Sequence, residues 1–491
     1  MAESKNESPI VDENWWKMWR NRRYHVSIMC FFGLINMYTC RVNMSVAVVA
    51  MTKAVVNDTK VPDFNWSSSE KSVILSSFYY GYVPVQIFVG MLLKYISPHI
   101  VFGIGTALPG LLTILTPLIA THLPLWVLVT SRVVMGLLQG VAIPCIMKFW
   151  TIWGPPLERS RLHGIAISGA FVGTVVGLPV SGLLADNAGW ESIFYVIGSA
   201  ALLWYIIWLI LIRGSPENDP FISKYEKNYI SVTIEKESKG HSHPIPWLSI
   251  LKSLPIHGVL IASLGWGWGY VTMLTQLPQF LSDVMDFDMS KSGFLSALPY
   301  LTMTIMSLLA GWIADNILVR QLLTVTQLRK YFISVTMLFQ AGLIIGAAYV
   351  ANPTANAVCI TAGIGVGALA YSGIGINYID VAPAFAAVIG GLGNTLTTLP
   401  GILSPLITGV LVQNDISDKD EIAGQWRIVF FITAGMYVMG SIAYWFLGSA
   451  KVQQWSIFDV NELDSTGVGG AVVVENCSER THTNDKVHKG H

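Results

Sequence analysis

Charge is scarce in this chain. Only 12% of its 491 residues are Asp, Glu, Lys or Arg, about half the share of roughly 25% that a soluble domain carries. So few charges cannot clothe a large water-facing surface. Lys+Arg and Asp+Glu number 30 each, so the net charge is zero, and no basic field exists to attract nucleic acid. Cysteine is scarce too. Cys30, Cys40, Cys145 and Cys359 lie in apolar stretches and Cys477 in a polar tail, which argues against a disulfide framework. There is no glycine-rich phosphate loop ending in Lys-Ser/Thr, no His/Cys/Asp/Glu set at metal-ligand spacing, and no nucleophile with a base beside it. An ATP-driven pump or a membrane enzyme would lack its parts, and neither a cofactor nor a metal is implied.

Apolar residues are abundant: 53% of the chain is hydrophobic and the mean hydropathy is +0.53. Runs of spanning length occupy 25–51, 72–93, 99–120, 123–150, 161–184, 192–212, 255–280, 293–314, 331–350, 357–379, 384–412 and 428–448. These predict an all-α membrane protein with twelve transmembrane helices. The first 23 residues are polar and carry Lys17, Arg20, Arg22 and Arg23, so they read as a cytosolic tail rather than a cleaved signal. Loops on the other side hold only Lys53, Lys60, Lys71, Lys291, Lys419 and Arg427, and the bias places both termini inside.

A charged stretch, 213–254, divides the spans six and six. The expected organisation is a tail 1–24, a six-helix half 25–212, the linker, a second half 255–450 and a disordered tail 451–491. The halves echo each other weakly: SSFYY at 76–80 and SALPY at 296–300, TVVGLP at 174–179 and TLTTLP at 395–400, WESIF at 190–194 and WRIVF at 426–430. Repeats in this order argue for a two-halved, pseudo-symmetric transporter with its site between the halves near the membrane midplane. In the first outer loop, Asn57 and Asn65 sit in N-x-S/T sequons and are the expected glycan sites.

Two cations interrupt the apolar runs. Arg132 lies well inside the fourth, where a charge costs roughly 3 kcal/mol or more. Met135 and Gln139 share its helix face, and Gly136 and Gly140 form a GxxxG spacing that lets another helix approach closely. Arg41 lies deep in the first run with Ser45 one turn on. No carboxylate is placed mid-span to neutralise either: Glu70, Asp186, Glu191, Asp315 and Asp380 all fall at span ends. Buried cations need compensation, so the cavity is read as built for an anion. Asn377 is the best further polar candidate. The aromatic residues of spans 2, 7, 8 and 10, such as Tyr79, Trp266, Tyr300 and Tyr371, are read as packing or interfacial belt.

Four stretches add a resemblance. WGPPLERSRL at 153–162, LKSLP at 251–255, GFLSALPYL at 293–301 and NYIDVAP at 377–383 resemble the sialin-like anion transporters of the major facilitator superfamily, over about Tyr24 to Trp455. The resemblance implies the major facilitator fold and alternating access. It implies that Arg41 and Arg132 match arginines tied to anion transport, and that Tyr82, in GYVPVQ, matches a cavity tyrosine. Sialin-like members resemble R-x-x-E-G-x-x-E-G in span 4. This chain has Met135 and Gln139 at the acidic positions, so the groups tied to proton coupling are replaced. The arginine and histidine of the vesicular glutamate branch are also absent, their places taken by Gly265 or Trp266 and by Leu75. Gln139 resembles the sodium–phosphate branch. The expected function is secondary transport of small anions, inorganic phosphate or organic, driven by Na⁺ or by membrane potential. The alternatives are a proton-coupled acidic-sugar or vesicular organic-anion carrier and a channel-like anion conductance. The expected setting is a monomer among lipids, in the plasma membrane by the lack of an acidic dileucine signal, with lysosomal or vesicular membranes as alternatives.

Overall fold

The structure is a computed structural model, and it describes residues 21–52, 64–93, 95–155, 158–238, 245–285, 289–350, 352–412 and 419–456. Asn57 and the tail beyond 456 lie outside these residues. The first half consists of α1 (Arg22–Thr52), α2 (Ser68–Leu92), α3 (Pro98–His122), α4 (Leu125–Gln139), α5 (Ala142–Trp153), α6 (Arg159–Ala188) and α7 (Trp190–Leu211). Two linker helices follow, α8 (Lys224–Ser238) and α9 (Trp247–Lys252). The second half holds α10 (Leu254–Asp283), α11 (Met289–Val319), α12 (Val325–Lys330), α13 (Thr336–Tyr349), α14 (Pro353–Val381), α15 (Ala386–Thr398), α16 (Pro400–Leu411) and α17 (Lys419–Leu447).

Three of the spans are interrupted. The fourth was expected as one helix over 123–150, but it turns at Gly140 and Val141 between α4 and α5. Pro144 has no N–H to give to the Gly140 carbonyl, and its ring crowds that carbonyl. Pro400 does the same between α15 and α16. A π-helical turn, Tyr331–Val335, joins α12 to α13. With each interrupted span taken as one, the described residues hold twelve long helical elements. Nine are long and apolar enough to cross a membrane by composition alone. The other three, α2, α10 and the α15–α16 pair, pack between the halves, where tyrosine, glycine and threonine replace aliphatic residues. By contrast α7 shows lipid an apolar face: Val196, Leu203, Ile206 and Ile210 are about half exposed or more, a stripe that water would not tolerate.

The halves meet through α2 against α16 and α6 against α11. Each partner in one pair has its sequence-repeat counterpart in the other, as a pseudo-twofold requires. An even number of spans leaves both termini at one end. At the opposite end the Ser290 amide donates to Asp186 at 2.6 Å, and Gly293 of α11 abuts the Leu178 carbonyl of α6. Nearer the terminal end, Asn394 donates to Gln86 at 2.8 Å.

The charged linker packs at both ends: Ile250 of α9 joins a core cluster of the second half, and the earlier part, through Asp219 and Glu226, packs on the first half. Glu226 of α8 accepts from the backbone N–H groups of Arg22 and Arg23, at 2.8 and 3.1 Å, and pairs with the Arg23 guanidinium at 3.0 Å. Arg22 pairs with Asp219 at 2.9 Å, and Arg23 with Glu158 at 2.9 Å. The first turn of α1 has no acid of its own, so a carboxylate about 200 residues away satisfies its free N–H groups. Glu226→Ala would strip two helix donors and half of Arg23's pairing from a buried cluster. The expected cost is on the order of 3 kcal/mol, read as a lower melting temperature of the purified protein. Glu226→Gln, which keeps an acceptor, is expected to lose clearly less; equal losses would show that the cap contributes nothing.

Candidate functional site

Arg41 projects from the middle of α1 and is wrapped in rings. Its guanidinium carbon lies 4.2 Å from the ring centre of Tyr82, 4.7 Å from those of Tyr38 and Phe78, and 5.8 Å from that of Tyr79. Each such contact is worth about 0.5–2 kcal/mol, and together they offset part of the cost of holding a cation in the bundle. Arg132, on α4, is 2% exposed. It lies 5.4 Å from the Phe78 ring. One of its terminal nitrogens reaches the Arg41 carbonyl at 3.5 Å and the other the Met135 sulfur at 3.9 Å. Both contacts are long, hence weak. The Nε of each arginine is buried without a hydrogen-bond acceptor, and among the described residues neither guanidinium forms an ion pair. Two positive charges thus share one small region with no counter-charge among the described residues.

Both line one gap with Ser45, Leu75 and Tyr79 from the first half and Leu274 and Thr275 of α10 from the second. The gap is about 10 Å³, room for roughly one water. The halves close over the arginines in this conformation, and anything larger must enter by their separation.

The α2–α4 contact explains how the rings reach the cations. A Cβ on Gly136 would coincide with the Phe78 carbonyl, and one on Gly81 with the Val133 carbonyl. Both glycines let the two backbones touch, which delivers Phe78, Tyr79 and Tyr82 of α2 to the arginine of α1.

The second half supplies an uncharged wall. The Trp266 ring stacks on Tyr270 at 5.0 Å and on Tyr371 at 4.8 Å, and Tyr270 meets Tyr300 edge-on at 5.7 Å. The Trp266 N–H donates to the Gly367 carbonyl at 3.0 Å, so this buried indole is fixed where it stacks on the two tyrosines. Tyr270 packs onto the cluster of Phe78, Tyr79, Tyr82 and Met135, which carries the aromatic wall across to the arginine side.

Of the residues singled out in the sequence, Arg41, Arg132 and Tyr82 come together here. Gln139 is buried two turns along α4 with its amide nitrogen unpartnered. Asn377 does not reach the gap: it sits toward the terminal end of α14, where its amide donates to the Ser449 carbonyl at 3.1 Å. Nearby, Arg329 pairs with Asp380 at 2.7 Å. Tyr38, Phe78, Leu274 and Thr275 were not foreseen. Tyr38 had a signal, since it stands one helical turn before Arg41; the α10 residues had none.

Comparison with known proteins agrees with this architecture. Residues 29–405 match the family model described as Major Facilitator Superfamily. Human sialin is 32% identical, over 89% of this chain and 91% of its own length. A Drosophila melanogaster protein provisionally named an inorganic phosphate cotransporter is 35% identical, over 88% of this chain and 86% of its own. Among solved structures, a bacterial homologue of the human lysosomal transporter spinster, inward-facing and unoccupied, superposes with a TM-score of 0.66 at 14% identity, covering 86% of this chain and 96% of that one.

Proposed function

The chain belongs to the Major Facilitator Superfamily, and we propose that it carries small organic anions across a membrane by alternating access, with Arg41 and Arg132 as the anion-binding pair. One observation carries the reading: among the described residues the buried Arg132 and the partly buried Arg41 share the gap between the halves without an acid, and Tyr270, from the aromatic group of the second half, packs on the rings that surround Arg41. An anionic group supplies the missing charge, and a planar or apolar body packs against the aromatic group of Trp266, Tyr270 and Tyr371 once the halves separate. Tyr82 holds Arg41 from behind, and Gln139 offers its free amide on the path toward the terminal end. Asn377 serves the packing of that end rather than the substrate. Phosphate is the second reading, favoured by the name of the Drosophila relative; it would use the arginines but leave the aromatic wall idle. The test is uptake by proteoliposomes of an aromatic carboxylate and of inorganic phosphate. Preference for the carboxylate, weakened when Trp266 or Tyr371 is replaced by Ala, supports the organic reading. Phosphate uptake indifferent to both variants overturns it.

The coupling proposal follows from the same helix. A proton-coupled carrier needs a group that changes charge during its cycle, and neither Met135 nor Gln139 does. Uptake is therefore expected to follow a Na⁺ gradient or membrane potential. With pH gradient and potential clamped separately, strong uptake from the pH gradient alone would overturn this. Gln139→Glu is expected to introduce pH dependence. Asn65 is exposed just before α2, at the end away from the termini, and there it is open to glycan attachment. A monomer suffices, because the site is complete within one chain.

A further inference from the structure

A second cavity lies outside the gap, on the first half, where the loop between α2 and α3, the helix α5 and the chain leaving α7 come together at the terminal end. It is an open cleft of about 530 Å³. Three basic side chains line it, His99, Lys148 and Arg213, with Ser97 and Asn218 as further polar groups. No carboxylate lines it among the described residues. The acids flanking Asn218 stand outside: Glu217, and Asp219, which is held by Arg22 at 2.9 Å.

The cleft is built rather than incidental. The Ser97 hydroxyl and His99 Nδ1 are 3.1 Å apart, and the Trp208 indole fixes the His99 carbonyl at 3.1 Å. Gly214 passes so close to both that a Cβ there would lie 2.8 Å from the Ser97 oxygen and 3.0 Å from His99 Nδ1. Arg213 anchors one terminal nitrogen on the Leu209 carbonyl at 2.6 Å, which fixes its position at the cleft. Below the basic rim the walls turn apolar, with Leu93, Ile96 and Ile152. The face of α3 that continues from them carries Ile100 and Ile104, 45% and 37% exposed. Tyr95, 87% exposed, stands at the rim, as tyrosine does at headgroup level.

We propose that this cleft binds the phosphate group of an anionic membrane phospholipid, with Lys148 and Arg213 on the phosphate and the acyl chains lying along Ile96, Ile100 and Ile104. A cation-rimmed, acid-free pocket that opens onto an apolar helix face at headgroup depth matches the two-part chemistry of such a lipid. A free phosphate shares the charged part and none of the apolar part, so the two sources are separable.

The test uses the full chain, purified in a neutral detergent and titrated with three ligands: phosphatidylinositol 4-phosphate, phosphatidylcholine and inorganic phosphate. Native mass spectrometry counts bound molecules, and melting temperature reads stabilisation. Wild type is expected to bind the phosphoinositide and melt higher with it, with no response to phosphatidylcholine. The double variant Lys148→Gln with Arg213→Gln is expected to bind it about tenfold or more weakly. Arg320→Gln, an exposed cation at the same end of the second half, is expected to bind like wild type. Equal binding of phosphatidylcholine, equal binding of inorganic phosphate, or an unaltered double variant would each overturn the proposal. So would an equal loss with Arg320→Gln, which would mark diffuse attraction in place of a site.

Discussion

Arg132→Ala is expected to lower anion uptake on the order of 100-fold, the scale set by truncating one member of a buried charge contact, while the protein still reaches the membrane. The second half of that expectation separates a binding residue from a structural one. Arg132 is 2% exposed, its Nε has no acceptor, and its two contacts are long. Among the described residues, removing it orphans no carboxylate. It relieves the burial of an uncompensated cation, so the melting temperature is expected to hold or rise. Arg132→Lys keeps the charge but not the planar two-pronged donor set, and is expected to lose most of the uptake as well. Arg41→Ala is expected to fail similarly, since the rings of Tyr38, Phe78 and Tyr82 would then close on an empty space. Uptake near wild type by well-expressed Arg132→Ala protein would remove the arginine from the mechanism. A large fall in its melting temperature would assign it to the scaffold.

Gly136→Val is expected to abolish folded protein at the membrane, with less than about a tenth of normal expression. Overpacking a core with side-chain neighbours costs roughly 1–3 kcal/mol because those neighbours can move. At Gly136 the obstacle is backbone, the Phe78 carbonyl and the Tyr82 amide. The helices α2 and α4 must separate, and Phe78, Tyr79 and Tyr82, three of the rings that wrap Arg41, leave with α2. Gly136→Ala is expected to show the same defect in milder form. Gly346→Ala, where a Cβ meets nothing within 4 Å, is expected to be neutral or slightly stabilising, since alanine is the better helix former. Surface expression and melting temperature check all three. A well-folded Gly136→Val protein would mean that the helices do not pack as closely as the structure shows.

Apolar run length and charge scarcity were sufficient to read an all-helical membrane protein, because crossing lipid imposes a length and an apolarity that each segment must satisfy alone. Arg41 and Arg132 were legible for the same reason: a charge deep in an apolar run is conspicuous, and the absence of a mid-span acid is a property of the linear chain. Gly136 and Gly140 announced a close approach, though not to which helix. What faces the arginines was decided only by the tertiary structure. In lipid no apolar contrast marks the inner face of a helix, so Tyr82 of the site and Tyr80 beside it read alike. The contribution of Leu274 and Thr275 depends on how α10 is set against α1 and α2, and no local pattern encodes that. Asn377 shows the limit from the other side. Its polarity was visible, but its depth along α14 and its bond to Ser449 exist only once the last residues of the second half fold back over it. The pairing of Glu226 with the start of α1 is of the same kind, a contact between segments far apart in sequence, fixed by three-dimensional packing and by the need of free helix donors for an acceptor.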